Sequence, residues 1–278
     1  MKYPLTAVVG LVAAIVVGSV AAIALRHRHH AAPPPPPPPP KPFRIVFPEG
    51  FTREQMITRV GVVVKIADRE RHTKVLLSAR AYRIATRQAV VPCIGKRART
   101  NLEGFLFPAT YDFLKQTTAR QLVTDQIVAF CRNWLAVSHA YAHAKNLTAY
   151  DVVKIASMIE REALAPGDRP LIAAVIYNRL HAGMPLGIDA TLRYGLHIPA
   201  NEPIHQSQLA SDTPYNSRKS YGLPPTPIAN PGLASIRAAA HPAQVDYLYY
   251  ARKPDKIHHF FTASGTAFNE YLATHGYG

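Results

Sequence analysis

"IASMIEREALAPGDRPLIAAVIYNRL", Ile155 to Leu180, decides how the rest of the chain is read. It predicts two helices joined by a short hinge. At about 100° per residue, Val152, Ile155, Ala156, Ile159 and Ala163 fall on one apolar stripe. Glu160 and Glu162 flank that stripe on opposite sides, and Arg161 points away from it. Thr148 is placed to cap the first helix, with Asp151 three residues on. Asp168 fits the N-cap of the second, Pro170 falls in its first turn, and Gly183 stops it. Leu171, Ile172, Val175, Ile176 and Leu180 give it a core face. Glu160 shares its side with Val153 and Ala156. A carboxyl there is partly desolvated, which raises its pKa and suits a proton donor. The plainer account is a pair of solvated glutamates at the edge of the stripe.

Upstream, Leu5 to Leu25 is a run of 21 residues without a charge. About 20 apolar residues cross the hydrocarbon core as a helix. The run predicts an uncleaved membrane anchor. A signal peptide is the alternative, with Ala22 and Ala24 available to a peptidase. Lys2 precedes the run while Arg26 and Arg28 follow it, a mild bias against export of what comes after. Pro33 to Pro40 predicts a polyproline II rod of roughly 25 Å, at about 3.1 Å per residue. It serves as a stiff spacer or as a docking peptide, and its place beside the anchor favours the spacer.

The 278 residues are 48% hydrophobic, enough for one or two modest domains. Lys and Arg outnumber Asp and Glu by 32 to 17, a formal charge of +15. That balance favours anionic partners such as a lipid surface, an acidic polymer or nucleic acid. No nucleic-acid motif with interleaved aromatics stands out, so nucleic acid is the weaker reading. Cys93 and Cys131 lack metal-ligand spacing; they are two buried thiols, or one disulfide if the domain is exported. Neither a metal nor a cofactor is expected.

After the linker, Phe43 onward predicts a strand, a Pro-Glu-Gly turn and a helix capped by Thr52 with Gln55. A second helix is expected over 73–87 and a long one over 118–139. "NLEGFLFPATYDF", Asn101 to Phe113, reads as an aromatic loop. Beyond Met184 regular periodicity weakens, and the stretch rich in Pro, Gly, Tyr and Asn reads as an ordered functional loop. Tyr215, Asn216, Tyr221 and Asn230 supply ring faces and amides suited to gripping a sugar. "SIRAAAHP" predicts a short helix, Val245 to Ala251 a strand, and "HHFF" its partner.

The ordered series "FPEGFTREQM", "LEGFLFPATY", "IASMIEREA", "VIYNRLHAGMPL", "DATLRYG", "YNSRKSYGLPPTPIANPG", "AAAHPA" and "YLYY…HHF" resembles one family. It is that of the membrane-anchored endolytic murein transglycosylases, the YceG-like proteins, over roughly 43–269. The resemblance implies an α+β fold in four parts. These are an anchor at 1–25, a Pro-rich linker at 26–42, a shortened LysM-like module at 43–100 and a catalytic domain at 101–278.

It further implies an exported domain at the inner membrane that cuts the bond between N-acetylmuramic acid and N-acetylglucosamine inside nascent glycan strands. The expected product ends are 1,6-anhydro, and the expected outcome is an end to strand elongation. Glu160 is the implied catalytic acid. Glu162, Asn178, Asp189, Thr191, Tyr215, Asn216, Tyr221, Leu223, Pro224, Asn230 and His259 are the implied substrate contacts. Murein polymerases are implied partners. Two motifs depart from the pattern: Gln-Thr-Asp-Pro-Thr reads Gly187-Ile188-Asp189-Ala190-Thr191 here, and a terminal Glu-His-Asn reads Ala267-Phe268-Asn269. Two rivals stand beside this reading: a tethered glycan-binding protein without turnover, and a hydrolase pairing Glu160 with Asp189.

Overall fold

The computed structural model describes residues 39–87, 89–95, 98–99 and 101–276. The apolar run Leu5–Leu25 and most of the proline run lie outside the described residues. Among the described residues no helix is long and apolar enough to cross a membrane. From Pro42 onward the chain forms one compact unit.

Its fold is α+β: helices surround a shared core, and among the described residues the strands form three antiparallel two-stranded ribbons. Strand β1 (Phe43–Val46) leads through a turn at Gly50 into helix α1 (Arg53–Arg71). Thr52 and Gln55 close a reciprocal capping box there, as the spacing predicts. Helix α2 (Ala79–Ala85) is shorter than expected, because Ser78 caps it and the residues before it are extended. Ribbon β2–β3 (Ala89–Val90, Ala98–Arg99) follows. Strand β4 (Thr110–Phe113) then returns to pair with β1, Phe43 opposite Phe113. The strand–helix–helix unit is thus completed beyond residue 100, inside the segment expected to begin the next domain.

Helix α3 (Ala119–Leu135) starts on a Thr118–Gln121 capping box and ends earlier than the expected His139. Cys131, on this helix, forms a disulfide with Cys93 of the short turn Pro92–Ile94. After α4 (Ala140–Ala144) come the two helices of the opening stretch, α5 (Ala149–Glu162) and α6 (Asp168–His181). Thr148 and Asp151 form the predicted capping box. Asp168 does not cap α6. It is the helix's first residue, and its carboxylate is drawn away to His259.

Where sequence periodicity faded, the chain still folds into α7 (Asp189–Leu196), α8 (Gln206–Leu209) and α9 (Leu233–Ala240). Strands β5 (Tyr249–Arg252), which begins four residues later than the expected Val245, and β6 (His259–Thr262) pair, and α10 (Gly265–Thr274) packs beside them.

Helix α5 is the axle of the core. Val152, Val153, Ile155, Ala156, Met158 and Ile159 are essentially sealed from solvent, and α9 and α6 pack on it. Burial of a side chain of this kind contributes about 1.5–3 kcal/mol. Ser157 lies among them, and its hydroxyl accepts the Ile228 N–H at 3.0 Å, pinning the loop 223–232 to the helix.

A buried polar knot fixes that loop further. Asn230 Oδ1 accepts the N–H groups of Gly104 and Leu106, both at 2.9 Å, and its Nδ2 donates to Phe51 O and to Glu103. Glu103 also accepts from the Arg53 N–H at the start of α1 and from Tyr194 Oη. Gly104 sits at φ +90°, and a Cβ there would lie 2.6 Å from Pro227 and 2.9 Å from Val153. Only glycine allows that approach. Burial pushes the Glu103 carboxyl up to about 7.

Candidate active site

The last turn of α5 sends two carboxylates in different directions. Glu160 turns toward loop 223–232. Its side chain is only 6% exposed, its Oε2 accepts the Gly232 N–H at 2.9 Å, and Arg169 stands 3.9 Å away. Glu49, from the Pro-Glu-Gly turn, lies against the same Gly232, where any side chain would collide with it. Burial first, and then the charge of Glu160, raise the Glu49 carboxyl above its ordinary value. Sequence spacing gave no sign of this neighbour, which arrives from more than a hundred residues away.

Glu162 turns the other way, into a cleft of about 690 Å³. Tyr250, Ala190, Asp189 and His259 line it, together with Arg161, Arg179, Arg193, Arg218 and Arg252. Glu160 is not among the lining residues. Desolvation raises the Glu162 carboxyl and Asp189 adds to the rise, while Arg252, the Ala190 N–H and the Tyr250 hydroxyl oppose it. Tyr250 Oη is 3.4 Å from Glu162 Oε2. A carboxyl whose pKa is raised by burial, in contact with a phenol and lining a cleft, has the properties of a general acid.

The wall behind Tyr250 is braced. His259 donates its backbone N–H to Asp168 Oδ2 at 2.8 Å, and its Nδ1 meets the same oxygen at 2.8 Å. Tyr250 packs edge-on to the His259 ring, 5.4 Å between centroids. Desolvation lowers the His259 pKa, with Asp168 opposing. This ties the start of α6 to β6, and places His259, a residue expected to contact substrate, in the cleft wall.

The other expected contacts divide. Asp189 is on the cleft, where Arg218 bonds it at 2.6 Å. Asn216 is wholly buried, and its Nδ2 is committed to Leu209 O and Ser211 O. Asn230 is committed to the knot. Thr191 is buried and bonded to Ile188 O and Ser217. Asn178 donates to Val245 O and Tyr247 O and faces grooves on the other side of α6. Leu223 borders one of those grooves, Pro224 is buried, and Tyr215 is bonded to Thr226 at 2.8 Å. Tyr221 is 72% exposed and lines none of the cavities described here. The nitrogen of each of the three amides, Asn178, Asn216 and Asn230, donates to main-chain oxygens of neighbouring segments and so holds loops in place. No cluster of metal-ligating side chains occurs among the described residues.

Helix α5 thus ends in a raised carboxyl beside a polar cleft, within an α+β domain. The chain belongs to the YceG-like family, whose model matches residues 27–274. It is 37% identical over 158 residues to an endolytic murein transglycosylase of Bacillus subtilis strain 168, covering 57% of this chain and 44% of that one. It is 31% identical over 225 residues to one of Streptococcus pneumoniae strain R6, covering 74% of this chain and 40% of the relative. The chain thus spans well under half the length of these curated relatives. The crystal structure of a yceG-like protein from Listeria monocytogenes superposes with a TM-score of 0.66 at 29% identity, covering 84% of this chain and 76% of that one.

Proposed function

We propose that the chain is an endolytic murein transglycosylase and that Glu162, rather than Glu160, is its proton donor. The observation that carries the second point is the cleft: Glu162 opens onto it with a raised carboxyl, while Glu160 is closed in by Gly232 and Arg169. Names of the relatives and membership of the family support the reaction class.

Protonated Glu162 donates to the glycosidic oxygen between N-acetylmuramic acid and N-acetylglucosamine. The C1–O bond breaks and C1 takes on oxocarbenium character. The C6 hydroxyl oxygen of the same muramyl residue bonds to C1, and its proton passes to the Glu162 carboxylate. Glu162 is restored, no water is consumed, and the new end is 1,6-anhydro. Cutting inside nascent strands would terminate their elongation, next to the polymerases that make them.

The proposal includes an anchor at 5–25 with the amino terminus inside, a stiff proline spacer, and a domain outside the cytoplasm at the inner membrane. The Cys93–Cys131 disulfide supports export, since such bonds persist in oxidising compartments. The β1–α1–α2 order closed by β4 supports a small LysM-like module running to Phe113.

Asp189 in the same cleft favours one second reading, a hydrolase in which it activates water. Product mass separates the two. Full-length protein and its Glu162→Gln and Glu160→Gln variants are incubated with purified glycan strands. The proposal expects internal fragments with anhydro ends, lost by at least about 10²-fold in Glu162→Gln and retained in Glu160→Gln. Fragments heavier by one water would establish the hydrolase. Loss in Glu160→Gln alone would return the proton to Glu160, and binding without fragments would make the protein a tethered scaffold.

A further inference from the structure

The cleft contains far more positive charge than acid catalysis requires. Five arginines line it against two carboxylates, Glu162 and Asp189. Most of their hydrogen bonds go to neutral carbonyls. Arg179 donates to Leu248 O at 2.6 Å, Leu186 O at 2.8 Å and Pro185 O at 3.1 Å. Arg193 donates to Pro199 O and Glu202 O, both at 2.8 Å. Arg161 reaches Gly50 O at 3.3 Å. A carbonyl orients a guanidinium without cancelling its charge. Arg218 is the exception, paired with Asp189. Arg252 stands beside Glu162.

These are fixed cations. Arg179 is buried enough for desolvation to lower its pKa, and the nearby Arg218 pushes it the same way. Asp189 compensates Arg218, but the hydrogen bonds of Arg179 go to carbonyls, and a partly desolvated cation is stabilised when an anion joins it. Guanidinium forks match the two oxygens of a carboxylate in geometry. A neutral sugar chain asks for none of this.

We propose that the cleft is a carboxylate-binding subsite, occupied by the carboxylates that muramyl units bear at the lactyl group or on its peptide. The inference rests on the murein reading and adds a specificity to it: strands with free carboxylates are preferred over neutral ones. Arg218 and Arg252, exposed at the surface, admit the anion, while Arg179 and Arg193 set the field behind them. Asp189 competes with the anion for Arg218, so it tempers the subsite.

The test is binding of full-length protein, measured by fluorescence anisotropy at low and high salt. The probes are labelled strands of equal length: peptide-bearing with free carboxylates, peptide-bearing with amidated carboxylates, peptide-stripped with a free lactyl carboxylate, and an N-acetylglucosamine oligomer. The expected result is at least tenfold tighter binding of the free-carboxylate strands than of the amidated ones, a gap that closes as salt rises. Arg218→Gln should narrow the gap several-fold and Asp189→Asn should widen it. Tight binding of the stripped strand would identify the lactyl group as the anion read; weak binding would identify the peptide. Equal binding of free and amidated strands, or a gap unmoved in both variants, overturns the subsite while leaving the murein reading standing. No binding of any strand overturns both.

Discussion

Two polar regions lie within reach of helix α5, and they are built on opposite rules. In the knot around Asn230 and Glu103 the amide and the carboxyl oxygens are bonded to donors and acceptors of the protein itself. In the cleft around Glu162 the geometry is equally fixed, yet charge is left over. Saturated polar groups hold a fold; oriented but uncompensated ones recognise something outside it. The comparison shows one residue type in two settings: Glu103 is tied into the knot, while Glu162 lines the cleft.

The contrast breaks first at Asn230. Asn230→Ala removes two acceptances and two donations in the core and leaves the Gly104 and Leu106 N–H groups unpaired. A loss of about 3–5 kcal/mol is expected, read as a lower urea midpoint. A loss below about 1 kcal/mol would mean that water replaces the amide.

Glu103 gives the next largest effect, and it depends on pH. Burial raises its carboxyl from an ordinary 4.5 to about 7 in the folded protein. Between those values the folded state holds the extra proton, so this group's contribution to stability falls as pH rises through the window and levels off above about 7. The drop is on the order of 3 kcal/mol. Glu103→Gln should flatten it, although the amide's own donors make the variant weaker at low pH. Urea melts at several pH values from 4 to 8 give both slopes; equal slopes in the two proteins would show that Glu103 is ionised throughout.

The smallest test lies at the other end of α5. Thr148→Ala removes the hydroxyl from a capping box that also holds Asp151. About 1 kcal/mol is expected from thermal melts, with strand cleavage unchanged, because the cap is distant from Glu162 along the helix. Altered cleavage would mean that the helix transmits changes at its start to its end.

Much of the scaffold was legible because its causes are local. Thr52 and Thr148 cap helices by contacts three residues away, and the apolar stripe of α5 follows from one period. The strands 249–252 and 259–262 announced themselves by their aromatics. Helix α7 was missed because Gly195 and the Gly187 turn interrupt its signal, and α10 because it is short and none of its residues is fully buried. At the site, the opposite aim of Glu160 and Glu162 could be read from the helical period. Which one meets a cleft could not, since that depends on Gly232, Glu49 and Tyr250, all distant in sequence. The arginines of the cleft come from five separate segments, and no spacing rule gathers them.

The bond between Asp168 and His259 has one more consequence. With Arg179 clamped to carbonyls of two loops, it ties α6, β6 and the residues before α7 into a single frame around the cleft. The conformational entropy of arranging that wall is spent when the chain folds, not when a strand arrives. A long, flexible polymer already loses much freedom on binding. On the proposed murein reading, a groove that does not have to be ordered at the same moment would hold such a polymer with modest contacts and release its two halves quickly.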